Sequence, residues 1–270
     1  MNEKKGELAG RVAFVTGGNR GIGRAIAETM ADAGASVAIC GLDKSELDST
    51  LASLKNRGVK CEAYATDATR PDQISSAIAS IKKDFGSLDI LVNNIGAVKQ
   101  FSNFEGLTDE NWQEVFDINL MSMVRFSRAA FPLLCESKHG RVINIASVAG
   151  KRPGNFNPHY GAMKAAMIHL SKYLSNQWAQ YKILVNTICP HTVKGGVWEN
   201  NVENKAKMDR TSFEEAEKNL LQEVTSKTPL KDICLPSDVA ELTVFLASDK
   251  ARFMTGVCLT LDGGTVNSIF

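Results

Sequence analysis

The chain has 270 residues, of which 31 are Lys or Arg and 30 are Asp or Glu, so its formal net charge is only +1. This balance gives no sign of nucleic acid or an anionic membrane as the main partner. The opening residues lack the apolar core of a signal peptide, and no apolar run approaches the roughly 20 residues that span a bilayer. We therefore predict a cytoplasmic protein.

Six cysteines, at positions 40, 61, 135, 189, 234 and 258, are scattered along the chain. No Cys-x-x-Cys pair occurs and no His lies close enough to suggest zinc, so no metal site is predicted. Six cysteines would permit three disulfides, but a chain with this much apolar core does not need them. We expect reduced and mostly buried thiols.

The first predicted strand, 11–16, leads into a glycine-rich turn, 17–23, and then into a helical pattern that continues to Ala33. A strand, a glycine turn and a helix start place backbone N–H groups and the helix dipole against a phosphate. The spacing is Gly-x-x-x-Gly-x-Gly rather than the dinucleotide fingerprint Gly-x-Gly-x-x-Gly. Taken alone, this turn could equally be a tight corner.

Further apolar runs with the length of strands occur at 36–40, 61–65, 88–92, 141–145, 184–188 and 256–261. Helical patterns separate them at 45–55, 71–85, 110–135, 158–181 and 236–247. This alternation predicts an α/β protein in which helices cover both faces of a parallel sheet of about seven strands. No shift in composition divides the chain, so we predict one domain over 1–270 with a polar lead-in over 1–10.

Ligands of such sheets bind beyond the carboxyl ends of the strands. Small or polar residues follow several of the predicted strands, namely 17–23, Asp67, 93–96, Ser147 and Pro190. Asn119 lies instead within the helix pattern 110–135. Exposure to solvent alone does not explain why small and polar residues follow several strands at the same end of the sheet.

Tyr160 and Lys164 are four residues apart on a predicted helix, so they should lie on one face of it. A positive neighbour lowers the pKa of a phenol from its ordinary value near ~10. Such a tyrosine can exchange a proton with an alcohol or carbonyl oxygen, and Ser147 could donate a second hydrogen bond to that oxygen. By itself, Tyr-x-x-x-Lys is common on helices.

Together these pieces resemble the short-chain dehydrogenase/reductase family over nearly the whole chain. The matching segments are 16–23, Asp67, 93–96, Asn119, Ser147, Tyr160 with Lys164, Pro190 and 262–264. The resemblance implies a Rossmann-type, doubly wound α/β/α fold that binds NAD or NADP. It also implies hydride transfer between the nicotinamide and an alcohol or carbonyl carbon.

By this resemblance, Tyr160 is the general acid/base, and Lys164 lowers its pKa and holds the nicotinamide ribose. Ser147 orients the substrate oxygen, so Ser147 and Tyr160 bind the substrate. Asn119 holds a water that links Lys164 to solvent.

The resemblance also implies cofactor contacts beyond the catalytic residues. Asp67 with Ala68 would meet the adenine, and Asn93 would support the loop beneath the adenosine ribose. The full set of implied cofactor contacts is Gly17, Asn19, Arg20, Gly21, Ile22, Gly23, Leu42, Asp67, Ala68, Asn93, Gly96, Tyr160, Lys164, Pro190 and Val193.

Three positions depart from the family pattern. Ile95 stands where the family usually has Ala, which predicts crowding near the adenosine. His191 replaces a usual Gly and brings an imidazole towards the nicotinamide, although a loop histidine is more often a surface residue. Gly195 replaces a small hydroxyl residue, so one contact with the cofactor amide is absent.

Charge near the second strand bears on the choice of cofactor. NAD-binding members carry Asp at the position of Gly41, and Asp43, two places later, can simply cap the next helix. Arg20 resembles the basic residue of many NADP-preferring members, whereas Leu42 lacks the second basic residue found in others. These features favour NADP over NAD; the alternative is that Arg20 is a solvated loop charge.

The long segment 191–228 is by resemblance a lid over the substrate, with a helical pattern over 212–225. Phe156, Val193, Val197 and Trp198 either line an apolar pocket or pack this lid onto the body.

The helix patterns 110–135 and 158–181 are apolar on more than one face, as in helices buried in a core or against another subunit. In the family the corresponding helices pair between subunits, which implies a homodimer or homotetramer. If they are only core helices, the chain is a monomer.

We predict NADPH-dependent, reversible reduction of a ketone or aldehyde of a small to medium molecule. One alternative is an NAD-dependent dehydrogenase of a secondary alcohol or polyol. Another is a dinucleotide-binding sensor or scaffold without turnover, because a fold does not fix a function. Four intact catalytic positions argue against this last class.

Overall fold

A computed structural model describes residues 6–267, so the first five residues of the predicted lead-in and the last three of the chain lie outside the described residues. The described backbone contains a single seven-stranded sheet, and every strand pair in it is parallel. The strands are β1 (Val12–Thr16), β2 (Ser36–Gly41), β3 (Cys61–Ala65), β4 (Ile90–Asn93), β5 (Arg141–Ile145), β6 (Leu184–Pro190) and β7 (Cys258–Leu261). The predicted α/β fold of Rossmann type is confirmed.

Helices connect these strands and cover both faces of the sheet. Those of the described residues are α1 (Gly21–Asp32), α2 (Lys44–Lys55), α3 (Pro71–Phe85), α4 (Asp109–Val115), α5 (Ser122–Glu136), α6 (Pro158–Trp178), α7 (Val197–Asp209), α8 (Phe213–Lys227) and α9 (Pro236–Ala247). Proline occupies the first turn of α3, α6 and α9, where its missing N–H costs nothing because that group has no intrahelical partner.

The strand order is β3-β2-β1-β4-β5-β6-β7. The chain winds outward from β1 to β3 and then returns to β4, which pairs with the other side of β1. This reversal opens a crevice at the carboxyl ends of β1 and β4, which is where doubly wound sheets bind their ligands.

The core consists of two apolar layers on either side of the sheet. One layer includes Ile26 and Met30 of α1 with Val244 of α9, and the other includes Ile78 of α3 and Phe126 of α5. All residues of β1, β4 and β5 are buried, as expected of strands covered on both faces. The sheet is therefore a rigid platform for the residues that follow its strands.

Two helical features differ from the sequence prediction. The helix predicted over 110–135 is interrupted by a π-helical turn, Phe116–Met121, between α4 and α5. Helix α7 was not predicted, because its apolar residues are separated by a run of asparagines and charges that suggested a mixed loop. No helix among residues 6–267 is both long and apolar enough to cross a membrane, and all six cysteines are free.

Candidate active site

A cleft of about 1360 Å³ opens at the carboxyl ends of β1, β4, β5 and β6. All but one of the cofactor contacts implied by the sequence line it: Gly17, Asn19, Arg20, Gly21, Ile22, Gly23, Leu42, Asp67, Ala68, Gly96, Tyr160, Lys164, Pro190 and Val193. Ser147 lines the same cleft. The folded chain thus brings the glycine turn and the candidate catalytic residues into one space.

The exception is Asn93, which does not line the cleft; its predicted role of supporting the loop beneath the adenosine ribose stays a prediction. Asn93 is buried at the end of β4, where its Nδ2 donates to Asn144 Oδ1 at 2.8 Å and to Ser127 Oγ at 3.0 Å. Its side chain points into the layer below the sheet because alternate residues of a strand face opposite sides. The next residue, Asn94, lines the cleft instead.

Asn94 ties the loop after β4 to the glycine turn. Its Nδ2 donates to the carbonyl oxygens of Thr16 and Gly17 at 2.9 and 3.2 Å, and its backbone N–H donates to Thr16 Oγ1 at 3.0 Å. The amide of Asn94 therefore holds in place the turn that the sequence analysis singled out as a phosphate site.

The glycine turn is shaped to receive an anion. Gly17 and Gly21 have φ angles of +63° and +54°, which side chains rarely allow. Helix α1 begins at Gly21, and no side chain caps its first turn. The backbone N–H groups of that turn, at the positive end of the helix dipole, are thus available to a pyrophosphate. These residues fit a dinucleotide.

Ser147 follows β5 and begins a short 3₁₀ turn, Val148–Gly150. A Cβ on Gly150 would lie 2.6 Å from the backbone carbon of Lys164, so only glycine lets α6 pack this closely on the turn. The close packing brings the Ser147 hydroxyl near that of Tyr160, close enough to lower the pKa of the phenol. The backbone N–H of Ala149 donates to Ser147 Oγ at 3.1 Å and orients it.

Burial controls the protonation of Tyr160 and Lys164. It raises the pKa of Tyr160 to about 12, against a smaller lowering by the nearby Ser147 hydroxyl. It also lowers the pKa of the Lys164 ammonium to about 8. The sequence analysis expected Lys164 to bring the pKa of Tyr160 below its ordinary value. In this structure desolvation is the largest effect on the pKa of Tyr160, and the phenol is protonated at neutral pH.

Lys164 is held beneath the tyrosine ring. Its side chain is 2% exposed, its Nζ donates to the carbonyl oxygen of Ile145 at 3.1 Å, and Nζ lies 5.5 Å from the centre of the Tyr160 ring. The predicted helical spacing of four residues therefore does place the two groups together.

The π-helical turn positions Asn119. Its Nδ2 donates to the carbonyl oxygen of Val115, which the wider turn frees from α-helical pairing, and to that of Ala97, at 3.0 and 2.8 Å. Its Oδ1 is buried and has no hydrogen-bond partner within residues 6–267. A buried acceptor of this kind calls for a donor such as water, which fits the water implied at Asn119.

The region after β2 carries the charges that bear on cofactor choice. The carboxylate of Asp43 accepts from the backbone N–H of Glu46 at 2.9 Å and from Ser45 Oγ at 2.8 Å, and these bonds hold the pKa of Asp43 below its usual range. Asp43 is thus the cap of α2. Arg20 is exposed at the rim of the cleft, with its Nη1 3.6 Å from Glu46 Oε1.

The three departures from the family pattern all lie in the cleft lining. The side chain of Ile95 lies against Gly17, where a Cβ on that glycine would be only 3.1 Å from Ile95 Cγ1. His191 is half-buried, and burial lowers its pKa, so it is not simply a surface residue. Gly195, with φ of +107°, lies in the loop that leads into α7.

Comparisons with known proteins agree with this geometry. A family model described as enoyl-(acyl carrier protein) reductase matches residues 17–266. Oxidoreductase UcpA of Escherichia coli O157:H7 is 34% identical to this chain over 263 residues, which cover 96% of each chain. A tropinone reductase homolog of Arabidopsis thaliana is 35% identical over 267 residues, which cover 98% of this chain and 96% of the relative. The chain belongs to the short-chain dehydrogenase/reductase family. It is an oxidoreductase of that family.

A solved structure extends the similarity to three dimensions. L-sorbose reductase from Gluconobacter frateurii, complexed with NADPH and L-sorbose, superposes with a TM-score of 0.91 at 30% identity. The match covers 97% of this chain and 98% of that one. This short-chain dehydrogenase/reductase therefore shares its full-length architecture with an enzyme that binds a nicotinamide dinucleotide.

The predicted lid residues divide between two roles. Trp198 packs α7 against α8, where its indole Nε1 donates to Glu217 Oε1 at 3.1 Å, and it also lines the cleft. Val193 lines the cleft, whereas Phe156 is 65% exposed and does not. The side chain of Val197 lies outside the described residues.

Sequence reasoning missed several residues that shape the site of this short-chain dehydrogenase/reductase. Asn94 lay within the predicted segment 93–96 but was given no role of its own, although a strand exposes alternate residues and β4 ends between Asn93 and Asn94. Glu46 gave no signal, because it reaches Arg20 only once α2 is folded. The asparagines of α7 were also missed, since the helix itself was not predicted.

Proposed function

We propose that this chain is an NADPH-dependent reductase that converts a ketone or aldehyde to the alcohol, in a reversible reaction. The observation that carries the proposal is the proximity of the Tyr160 and Ser147 hydroxyls in the same cleft as an uncapped glycine turn. Tyr160 can deliver a proton, and Ser147 can orient the carbonyl oxygen of the substrate. The residues of the glycine turn fit the nicotinamide dinucleotide that carries the hydride.

NADPH, when bound, supplies the hydride; the residues of this chain handle the oxygen and its proton. The N–H of Ala149 donates to Ser147 Oγ and orients the hydroxyl, whose hydrogen would turn from the phenol to the substrate oxygen when substrate binds. Tyr160 is protonated below its pKa of about 12 and can donate that proton to the same oxygen. A protonated phenol is suited to the reductive direction.

Lys164 and Asn119 would support the proton transfer. The Lys164 ammonium, held by the carbonyl oxygen of Ile145, favours the phenolate that forms when Tyr160 gives up its proton. The unpaired Oδ1 of Asn119 is suited to hold a water through which that proton is replaced from solvent.

A preference for NADPH is supported by the charges at the rim of the cleft. Gly41 supplies no carboxylate at the end of β2, and the carboxylate of Asp43 is engaged as the cap of α2. The guanidinium of Arg20 is the cation in the glycine turn, and it is exposed enough to meet a ribose phosphate. NADPH is also the cofactor in the L-sorbose reductase complex.

A second candidate is an NAD-dependent dehydrogenase of a secondary alcohol or polyol. The observation that favours it is the carboxylate of Glu46, which lies 3.6 Å from Arg20 and would repel an additional phosphate.

A titration with NADPH and NADH, followed by tryptophan fluorescence, separates the two candidates. Hydrogen bonds to charged groups contribute about 1.5–3 kcal/mol, so we expect Arg20→Ala to weaken NADPH binding by about 10- to 100-fold and NADH binding hardly at all. Arg24→Ala is the matched control, because Arg24 lies one turn further along α1, pairs with Glu28 and does not line the cleft. Equal losses for both cofactors would contradict the NADPH proposal.

The segment 191–228 is proposed to be the substrate lid of this one-domain enzyme. Its twofold assembly, as a homodimer or homotetramer, and its cytoplasmic location remain predictions from the sequence. Sedimentation of the purified protein would distinguish these assemblies from a monomer.

A further inference from the structure

The lid helix α7 is amphipathic: its apolar side packs against α8, with Trp198 also reaching the wall of the cleft. Trp198, Val202 and Ala206 recur at intervals of four residues and belong to an apolar cluster with α8. Trp198 is 2% exposed, and its hydrogen bond to Glu217 anchors it there. This packing fixes the rotation of α7 about its axis.

The other residues of α7 at the cleft are polar. Asn200, Asn201, Glu203 and Asn204 lie at the same cleft as Ser147 and Tyr160; Asn201 is half-buried and the other three are exposed. The three asparagines are neighbours on the helix surface, since residues three and four apart lie a turn from each other. Over the described range 6–267, none of the four side chains hydrogen-bonds or forms an ion pair with another protein group.

A row of unpaired carboxamides has a specific chemical complement. Each carboxamide both donates and accepts hydrogen bonds, as each hydroxyl of a polyhydroxylated molecule does. An apolar molecule bound against these carboxamides would displace the water that hydrogen-bonds them and would form no hydrogen bonds in its place. Sites built to bond hydroxyls reject analogues that lack them for this reason.

We propose that the substrate is a neutral, polyhydroxylated ketone or aldehyde, with its hydroxyls bound by Asn200, Asn201 and Asn204 and its carbonyl oxygen at Ser147 and Tyr160. The carboxylate of Glu203, which has no cationic partner among the described residues, disfavours anionic substrates such as keto acids. This inference rests on the proposed reductase function. The competing explanation is that the polar side of α7 is only solvated.

The test compares carbonyl compounds of equal carbon number in an assay of NADPH oxidation. Erythrulose is paired with 2-butanone, and the D- and L-ketohexoses are paired with 2-hexanone. We expect kcat/KM to be at least about 100-fold higher for one or more polyhydroxylated probes than for the matched ketone, as two or more hydrogen bonds of about tenfold each would give.

Variants of α7 test the residues themselves. Asn201→Leu and Asn204→Leu should each lower kcat/KM for the preferred polyhydroxylated probe by about tenfold, mainly through KM, and leave 2-hexanone unaffected or improved. Lys207→Leu is the control, because Lys207 is exposed on the same helix and does not line the cleft.

The outcomes separate this inference from the function on which it rests. Reduction of the simple ketones as fast as all of the sugars would overturn the inference and leave the reductase proposal intact. Unchanged sugar kinetics in both asparagine variants would overturn it as well. If the protein binds NADPH but reduces no probe of either kind, the reductase proposal fails and the inference with it.

Discussion

Replacing Gly96 by alanine should slow turnover while leaving the protein folded. Gly96 follows β4 and is not in the left-handed backbone region, so its backbone accepts alanine. A Cβ at this position would lie 2.9 Å from Asn119 Oδ1 and 3.0 Å from Lys164 Nζ. The new methyl group would therefore crowd both of the groups proposed to support Tyr160.

The size of the effect follows from these distances. Carbon atoms make favourable contacts at about 3.5–4.0 Å, so each neighbour must retreat by roughly 0.5 Å or more. Overpacking of this kind costs about 1–3 kcal/mol of stability. A misplacement of ~1 Å can cost ~100-fold in rate, so half that distance predicts a loss of about tenfold in kcat.

The assay is NADPH oxidation by a carbonyl probe, with thermal unfolding measured alongside. Gly154→Ala is the matched control, because Gly154 also has no left-handed φ and the nearest atom to its added Cβ, Phe156 O, is 3.9 Å away. We expect the control to behave as the wild type. If Gly96→Ala retains full kcat and the control does too, Lys164 and Asn119 do not need the positions that the structure gives them.

Two further predictions concern the proton and the glycine turn. The kcat/KM for reduction should be constant below pH ~7 and fall as the pH rises through about 8. The reason is that Lys164 loses its charge near pH 8, while Tyr160, with a pKa of about 12, stays protonated. A profile that is flat to pH ~10 would count against this assignment. Asn94→Ala removes the amide that bonds the carbonyl oxygens of Thr16 and Gly17, so NADPH should bind about tenfold more weakly to a folded protein. Unchanged affinity in a calorimetric titration would mean that the turn holds its shape without Asn94.

The sheet could be predicted from the sequence because its strands are buried on both faces. Runs such as 141–145 are therefore apolar enough to stand out, and this one matches β5. The edge strand β3 is only partly buried, yet its run 61–65 was also predicted with the observed bounds. Helix α3 was predicted with its bounds, since Pro71 marks its start and Gly86 its end. The order and spacing of the motifs along the chain, through their resemblance to the family, then predicted that the glycine turn, Tyr160 and Ser147 share one site.

What could not be predicted depends on three-dimensional packing. The pKa of Tyr160 depends on burial, which the four-residue spacing to Lys164 does not reveal. Helix α7 is stabilised by Trp198 and its contacts with α8, whereas its remaining surface has the composition of a loop. Asn93 and Asn94 differ only in which side of the sheet they face, and that depends on where β4 ends.

The central claim is that Tyr160 transfers a proton during carbonyl reduction, and one substitution tests it most directly. Tyr160→Phe removes only the hydroxyl; its control, Tyr173→Phe, makes the same change at an exposed position of α6 outside the cleft lining. With a carbonyl probe that the wild type reduces, we expect Tyr160→Phe to lose about 10²- to 10⁴-fold in kcat and to bind NADPH as before. Retention of wild-type turnover by Tyr160→Phe would contradict the account.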